Sequence, residues 1–282
     1  MATFYNQATL SFGGVTTNSN VTEGEVNAVI TATKTAISQD YGSDDGIAYA
    51  ISIVNASATD RTGVSITDDL GQFTFGTQLI VPLDYIDGSV KLYRNGTLAT
   101  TPTVEAGPPL TISDITVPAG GNVLIVYEAR VNEFADLAEG SVITNTATVT
   151  SGSCESVLTA EVPVRTEPEL SISKSICPDN VTCGDSVSYT FVIQNSGNAP
   201  IVATDDVILS DTFVPPLSGI TVTYGDTVWT EGTNYTYDAQ TGEFTTLPGQ
   251  ITVPAATFTR DAGTGAVTVT PGATVIKITG NI

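Results

Sequence analysis

Apolar and polar residues alternate along the chain from end to end. The alternation shows in AYAISIVN (48–55), GVSITDDL (63–70), VLIVYEARV (123–131), VITNTATVT (142–150), ELSISKSI (169–176), VSYTFVIQN (187–195) and ATVIKITGN (273–281). A period of two puts successive side chains on opposite faces of an extended strand. Short runs rich in Val, Ile, Thr and Tyr, set between Gly, Pro and Asn, are strand sequence. No amphipathic helix stands out, and NEFADLAEG (132–140) supplies one turn at most. The pattern predicts an all-β chain built of sandwich domains.

The strands repeat. TATKTAISQDYGSDDGIAYAISIVNAS (31–57) aligns without a gap with SISKSICPDNVTCGDSVSYTFVIQNSG (171–197). Lys34 and Lys174 each precede a tyrosine (Tyr49, Tyr189) by 15 positions and an asparagine (Asn55, Asn195) by 21. SITDDL (65–70) matches LSDTF (209–213), and ITVPAGGNVLIVY (115–127) matches VTVTPGATVIKIT (267–279). Two copies of one sandwich domain follow, with boundaries at 29–166 and 167–282.

A further match concerns residues 1–28. YNQATLS (5–11) resembles TNTATVT (144–150), and each is followed by a turn and a second strand. Asn6 lies 28 positions before Lys34, and Asn145 lies 29 before Lys174. A unit therefore reads as a lysine strand, a Pro-Gly strand and then an asparagine hairpin. The first unit contains all three. The second ends at Ile282 without the hairpin, while residues 1–28 form a spare one.

A sandwich missing its terminal hairpin has an open sheet edge and an exposed core groove, both templates for another chain. Phe4, Ala8, Leu10 and Phe12 share one face of the first strand with Asn6, and Tyr5, Gln7, Thr9 and Ser11 hold the other. Burying those apolar side chains with Val21 and Val26 supplies about 6–12 kcal/mol before ordering costs. Donor and acceptor patches differ, so the contact is heterologous and builds a filament or a ring of copies of this chain. The competing expectations are a hairpin folded back on its own chain and a frayed or otherwise docked terminus.

Charge narrows the function. The chain has 30 acidic residues against 9 basic ones, a net charge of −21, and no histidine. Nucleic-acid binding and attraction to an anionic membrane are excluded on electrostatic grounds. Histidine-based catalysis and His-ligated zinc are absent, so no enzyme and no cofactor are expected. Asp44–Asp45 and Asp205–Asp206 lack the spaced ligands of a calcium loop and read as solvated charges, so no metal is expected. The first residues, MATFYNQATLSF, lack a basic and then apolar leader, and no run of ~20 apolar residues exists, so neither a signal peptide nor membrane insertion is expected. Cys177 and Cys183 bracket the turn-like CPDNVTC; a small disulfide and two unpaired thiols are both open readings there. Cys154 is left over, either as a bond between subunits or as a free thiol.

Three polar residues fall on apolar faces in each unit. Lys34 lies with Ile30, Ala32 and Ala36, and Lys174 with Leu170, Ile172 and Ile176. Asp68 lies with Val64, Ile66 and Leu70, and Asp211 with Val207, Leu209 and Phe213. Asn145 lies with Ile143, Ala147 and Val149, as Asn6 does with Phe4, Ala8 and Leu10. Buried charge needs a partner, so each Lys, Asp and Asn should meet. One reading is a Lys–Asp ion pair with the Asn hydrogen-bonded beside it. The other is an autocatalytic Lys–Asn isopeptide bond, with a desolvated neutral amine attacking the Asn carbonyl and the Asp protonated to polarise it. The clusters would be Lys34, Asp68 and Asn145 within a chain, and Lys174, Asp211 and Asn6 of the next subunit.

TVWTEGTNYTYD (227–238), with Trp229, Tyr235 and Tyr237, is either a carbohydrate platform or hairpin packing. The LSISKS strand, GDSVSYTFVIQNSGN, the DTF-like aspartate strand and ITNTATVTS together resemble the conserved repeat domain of unknown function of bacterial cell-surface proteins. That resemblance implies immunoglobulin-like sandwiches in a stalk, adhesin or surface filament. The combined expectation is two tandem immunoglobulin-like β-sandwiches preceded by a donor hairpin. They would form the subunit of a pilus-like fibre or spore appendage that assembles outside the cell by strand donation. The alternative is a monomeric surface adhesin or carbohydrate-binding module.

Overall fold

A computed structural model of the chain describes residues 2–26 and 29–282. Residues 1, 27 and 28 of the expected donor segment and the Val26 side chain lie outside the described residues. The fold is all-β, with a single 3-10 turn, Ala203–Asp205, as its helical element among the described residues. Two compact units are present: residues 1–132 with 143–162, and residues 133–142 with 163–282. No helix among the described residues is long and apolar enough to cross a membrane.

In the first unit one sheet has the order Thr97–Leu98, Lys91–Arg94, Asn122–Val131, Gly46–Asn55, Ile30–Ala36. The other has the order Thr103–Glu105, Leu110–Val117, Arg61–Asp68, Val142–Ser151, Cys154–Pro163. Alternation decides what each strand buries. In Gly46–Asn55, Ile47, Tyr49, Ile51 and Ile53 are buried, while the residues between them are partly exposed. Val64, Ile66, Ile112, Ala147 and Val149 of the other sheet complete the core. The aspartate strand Arg61–Asp68 is central, paired on one side with Leu110–Val117 and on the other with the asparagine strand Val142–Ser151.

The second unit repeats the first sheet: Thr227–Trp229, Ser218–Tyr224, Gly272–Asn281, Ser186–Asn195, Leu170–Cys177. Its other layer is smaller, with the order Ser210–Thr212, Glu243–Thr246, Tyr235–Tyr237. The counterpart of the aspartate strand is thus reduced to three residues with one strand neighbour. Among the described residues this unit has no counterpart of the asparagine hairpin. A strand that loses one neighbour loses half its ladder, and the preceding backbone turns through Ala203–Asp205 and a left-handed Asp206 (φ 51°) instead of extending.

Candidate functional site

Residues 2–26 form one long hairpin. Ala2–Asn6 pairs with Thr22–Val26, and Thr9–Phe12 pairs with Val15–Asn18. Gly13 and Gly14 close it with φ of +59° and +83°, the left-handed pair that a two-residue hairpin turn requires. The summed register falls by one between the two halves, because Gln7–Ala8 face three residues, Ser19–Val21, in a bulge. Opposed residues share a face, so Phe4 and Gly24, Asn6 and Thr22, Leu10 and Thr17, and Phe12 and Val15 make one surface. That surface is uncovered: Leu10 is 69% and Phe12 87% exposed, and Phe4, Val15 and Val21 are exposed as well. Among the described residues these four strands pair only with one another.

The first unit shows what such a hairpin covers. Val142–Ser151 lies along the aspartate strand with Ala147 opposite Asp68, Thr148 opposite Thr67 and Val149 opposite Ile66. This register buries Asn145 beside Lys34 and Asp68. Lys34 Nζ donates to Asp68 Oδ2 at 2.8 Å and to the Asn145 backbone carbonyl at 3.0 Å. The Tyr127 hydroxyl donates to Asp68 Oδ2 and accepts from Asn145 Nδ2 at 3.3 Å. Asp68 Oδ1 accepts the Leu70 N–H at 3.0 Å. Asn145 Oδ1 is buried with no hydrogen-bond partner among the described residues. Burial pulls the Lys34 amine below its usual value, opposed by the attraction of Asp68. Burial also pushes the hydroxyls of Tyr49 and Tyr127 up, so both stay protonated. A buried lysine driven toward neutrality, beside a carboxyl group and an amide whose oxygen is unpaired, is a set of groups suited to acyl transfer.

The second unit holds the matching residues without the cover. Lys174 Nζ lies 2.5 Å from Asp211 Oδ2, yet the Lys174 side chain is 40% and that of Asp211 19% exposed. Tyr189, Phe191 and Phe213 surround the amine, with ring centroids 4.7, 5.3 and 5.4 Å away. The whole lysine strand Leu170–Cys177 is exposed, whereas its counterpart buries Lys34. Beside it runs an open groove of about 180 Å³, lined by Leu170, Ile172, Ile193, Val207, Leu209 and Ile251. Sequence matching located Lys, Asp and Asn but missed Tyr127. The tyrosine sits in VLIVYEARV opposite Tyr49, whereas Ile278 sits opposite Tyr189 in the second unit, so the two clusters differ in one hydroxyl.

No family model matches the chain, and no curated protein matches it. The resemblance to the surface-protein repeat therefore rests on its motifs. Among solved structures, the C-terminal domain of the Streptococcus agalactiae AgI/II polypeptide BspA is similar at 12% identity, over 89% of this chain and 91% of that one, with a TM-score of 0.33. The pilus backbone RrgB of Streptococcus pneumoniae is similar at 12% identity, over 86% and 55% of the chains, with a TM-score of 0.36. The collagen-binding domain of a Staphylococcus aureus adhesin is similar at 13% identity, over 49% and 99%, with a TM-score of 0.30.

Other expected features resolve locally. Cys154, Cys177 and Cys183 are free, exposed thiols in this structure, with no bridge between Cys177 and Cys183. Trp229 and Tyr235 are buried in the second core, and Trp229 stacks on Tyr224 at 5.0 Å, so these rings pack the hairpin and offer no flat sugar platform. Asp44 pairs with Arg130 at 3.2 Å, and Asp205 accepts the Val202 N–H at 2.8 Å, both in surface loops.

Proposed function

We propose that this chain is a structural subunit, not an enzyme, of an extracellular filament such as a pilus-like fibre or spore appendage. Each copy places its N-terminal hairpin in the open second unit of the next, head to tail. One observation carries this reading: the place that the asparagine hairpin fills in the first unit is an open apolar groove in the second, and residues 2–26 present an exposed copy of that hairpin. Donor and acceptor are different surfaces, so each added copy brings a new open groove, and addition continues as a fibre wherever the rotation between copies does not close it.

The same reading extends to covalent locking. The Lys34 amine, in the neutral form that burial favours, attacks Asn145 Cγ. A carbon–nitrogen bond forms, the bond from Cγ to Nδ2 breaks, and ammonia leaves with the proton that Asp68 transfers from the amine. In the filament, Lys174 and Asp211 treat Asn6 of the incoming subunit in the same way.

Deleting residues 1–26 tests the proposal by negative stain and sedimentation. Filaments from the full chain and monomers from the shortened one are expected. Filaments from both refute strand donation, and a full-length monomer that binds glycans returns the adhesin alternative.

A further inference from the structure

The second unit's groove has a definite size and place, and both are informative about its occupant. In the first unit the donor strand runs with Ala147 opposite Asp68, Thr148 opposite Thr67 and Val149 opposite Ile66. The repeat equates Asp68 with Asp211, Thr67 with Ser210 and Ile66 with Leu209. It likewise equates Ala147, Thr148, Val149 and Ser151 with Ala8, Thr9, Leu10 and Phe12. In each unit the aspartate strand has an inner neighbour, with Thr111 facing Thr67 in the first and Thr245 facing Ser210 in the second. The equivalence of the acceptor edges rests on the match of SITDDL with LSDTF.

We infer that Leu10 and Phe12 of a second copy of the chain are the anchors that fill this groove, in a register with Ala8 opposite Asp211, Thr9 opposite Ser210 and Leu10 opposite Leu209. The inference rests on the strand-donation reading. The groove lies around Val207 and Leu209, where the register delivers Leu10 and Phe12. The chain's own asparagine hairpin offers only Val149 and Ser151 at those positions, a branched residue and a hydroxyl. Phe12, at 87% exposure, has no apolar cover of its own, and the groove's lining carries no charged side chain. A groove with room for an aromatic ring is underfilled by a serine, and an underfilled core position weakens binding. The second unit thereby selects the N-terminal hairpin over a swapped Val142–Pro163 hairpin, so fibres do not branch through exchange of the latter. The outward positions Thr9 and Ser210 report the register, because opposed Cβ atoms come within disulfide reach and diagonal ones do not.

The test is disulfide trapping in a full-length C154S/C177S/C183S background under mild oxidation. T9C/S210C should give a ladder of multimers on a non-reducing gel, whereas Q7C/S210C and S11C/S210C should not. Ladders from either shifted pair instead overturn the register while leaving strand donation intact. A cross-linked monomer from T9C/S210C overturns donation to a second copy, and no cross-link from any of the three pairs overturns both. A synthetic 1–26 hairpin and the chain lacking those residues supply the size test. Phe12→Ser should weaken their binding on the order of a hundredfold, and an unchanged affinity overturns the role of Phe12 as anchor.

Discussion

Lys34 Nζ donates to Asp68 Oδ2 at 2.8 Å with both side chains shut off from solvent, whereas the equivalent Lys174 and Asp211 meet at 2.5 Å with Lys174 40% exposed. The same pair, placed by the same repeat, is sealed in one unit and open in the other. The sealed pair lies under the asparagine strand Val142–Ser151, and the open one has no such strand beside it among the described residues. The buried pair also makes a stability prediction, since removing one partner leaves the other charge uncompensated. In the bond-free Asn145→Ala chain lacking residues 1–26, Lys34→Met should cost about 3–5 kcal/mol in urea unfolding. Lys34→Met with Asp68→Asn should recover most of that loss. Additive losses would mean that the two groups are not coupled.

Covalent closure predicts a mass. The full chain should weigh one ammonia less than its sequence for the Lys34–Asn145 bond, and Asp68→Ala should restore the full mass. Filaments should leave a ladder of multimers after boiling in detergent. Asn6→Ala should abolish that ladder while native filaments persist. Complete collapse of wild-type filaments to monomers would contradict the bond between subunits.

The bond should also form faster at higher pH. Only the neutral amine is a nucleophile, and burial holds the Lys34 value below the ordinary 10.5. The neutral fraction therefore rises through a midpoint below 10.5, and the rate of ammonia loss after refolding should rise with it. In the bond-free Asn145→Ala chain the unfolded state binds the extra proton between those two values, so the contribution of Lys34 to stability increases with pH across that window. Tyr49 and Tyr127 act in the opposite sense at alkaline pH: their raised values hold protons that the unfolded chain has lost. A rate independent of pH over the lysine window would remove Lys34 from the chemistry.

Salt should favour assembly. Each copy carries a net charge of −21, and residues 2–26 contain Glu23 and Glu25 but no basic residue. Like-charged copies repel until the screening length falls to about 10 Å near 0.1 M salt. The apolar contact between hairpin and groove is untouched by screening. Elongation followed by light scattering should quicken from low to moderate salt, and slowing would indicate docking steered by opposite charges.

Much of the fold is legible in the sequence because alternation and repeat report the same thing at each strand. Lys34, Asp68 and Asn145 stand out as polar residues on apolar faces, and the structure brings those three together. Asn6, Leu10 and Phe12 stand out by their match to Asn145, Val149 and Ser151. Tyr127 does not, because alternation gives it a face but not a partner; its contact with Asp68 depends on which strands become neighbours. The stretch before Asp211 reads as a strand like Arg61–Asp68, yet it becomes a 3-10 turn and a short Ser210–Thr212 strand. Strand propensity there is local, whereas the ladder that would extend it needs a second neighbour.

Mixing two half-defective chains separates donation between copies from any contact within one chain. One lacks residues 1–26 and keeps its groove. The other keeps its hairpin and carries Leu209→Asp, which sets a charge in the groove. Each alone should sediment as a monomer, and an equimolar mixture should give dimers that extend no further. Filaments from either variant alone, or a mixture that stays monomeric, would contradict head-to-tail donation.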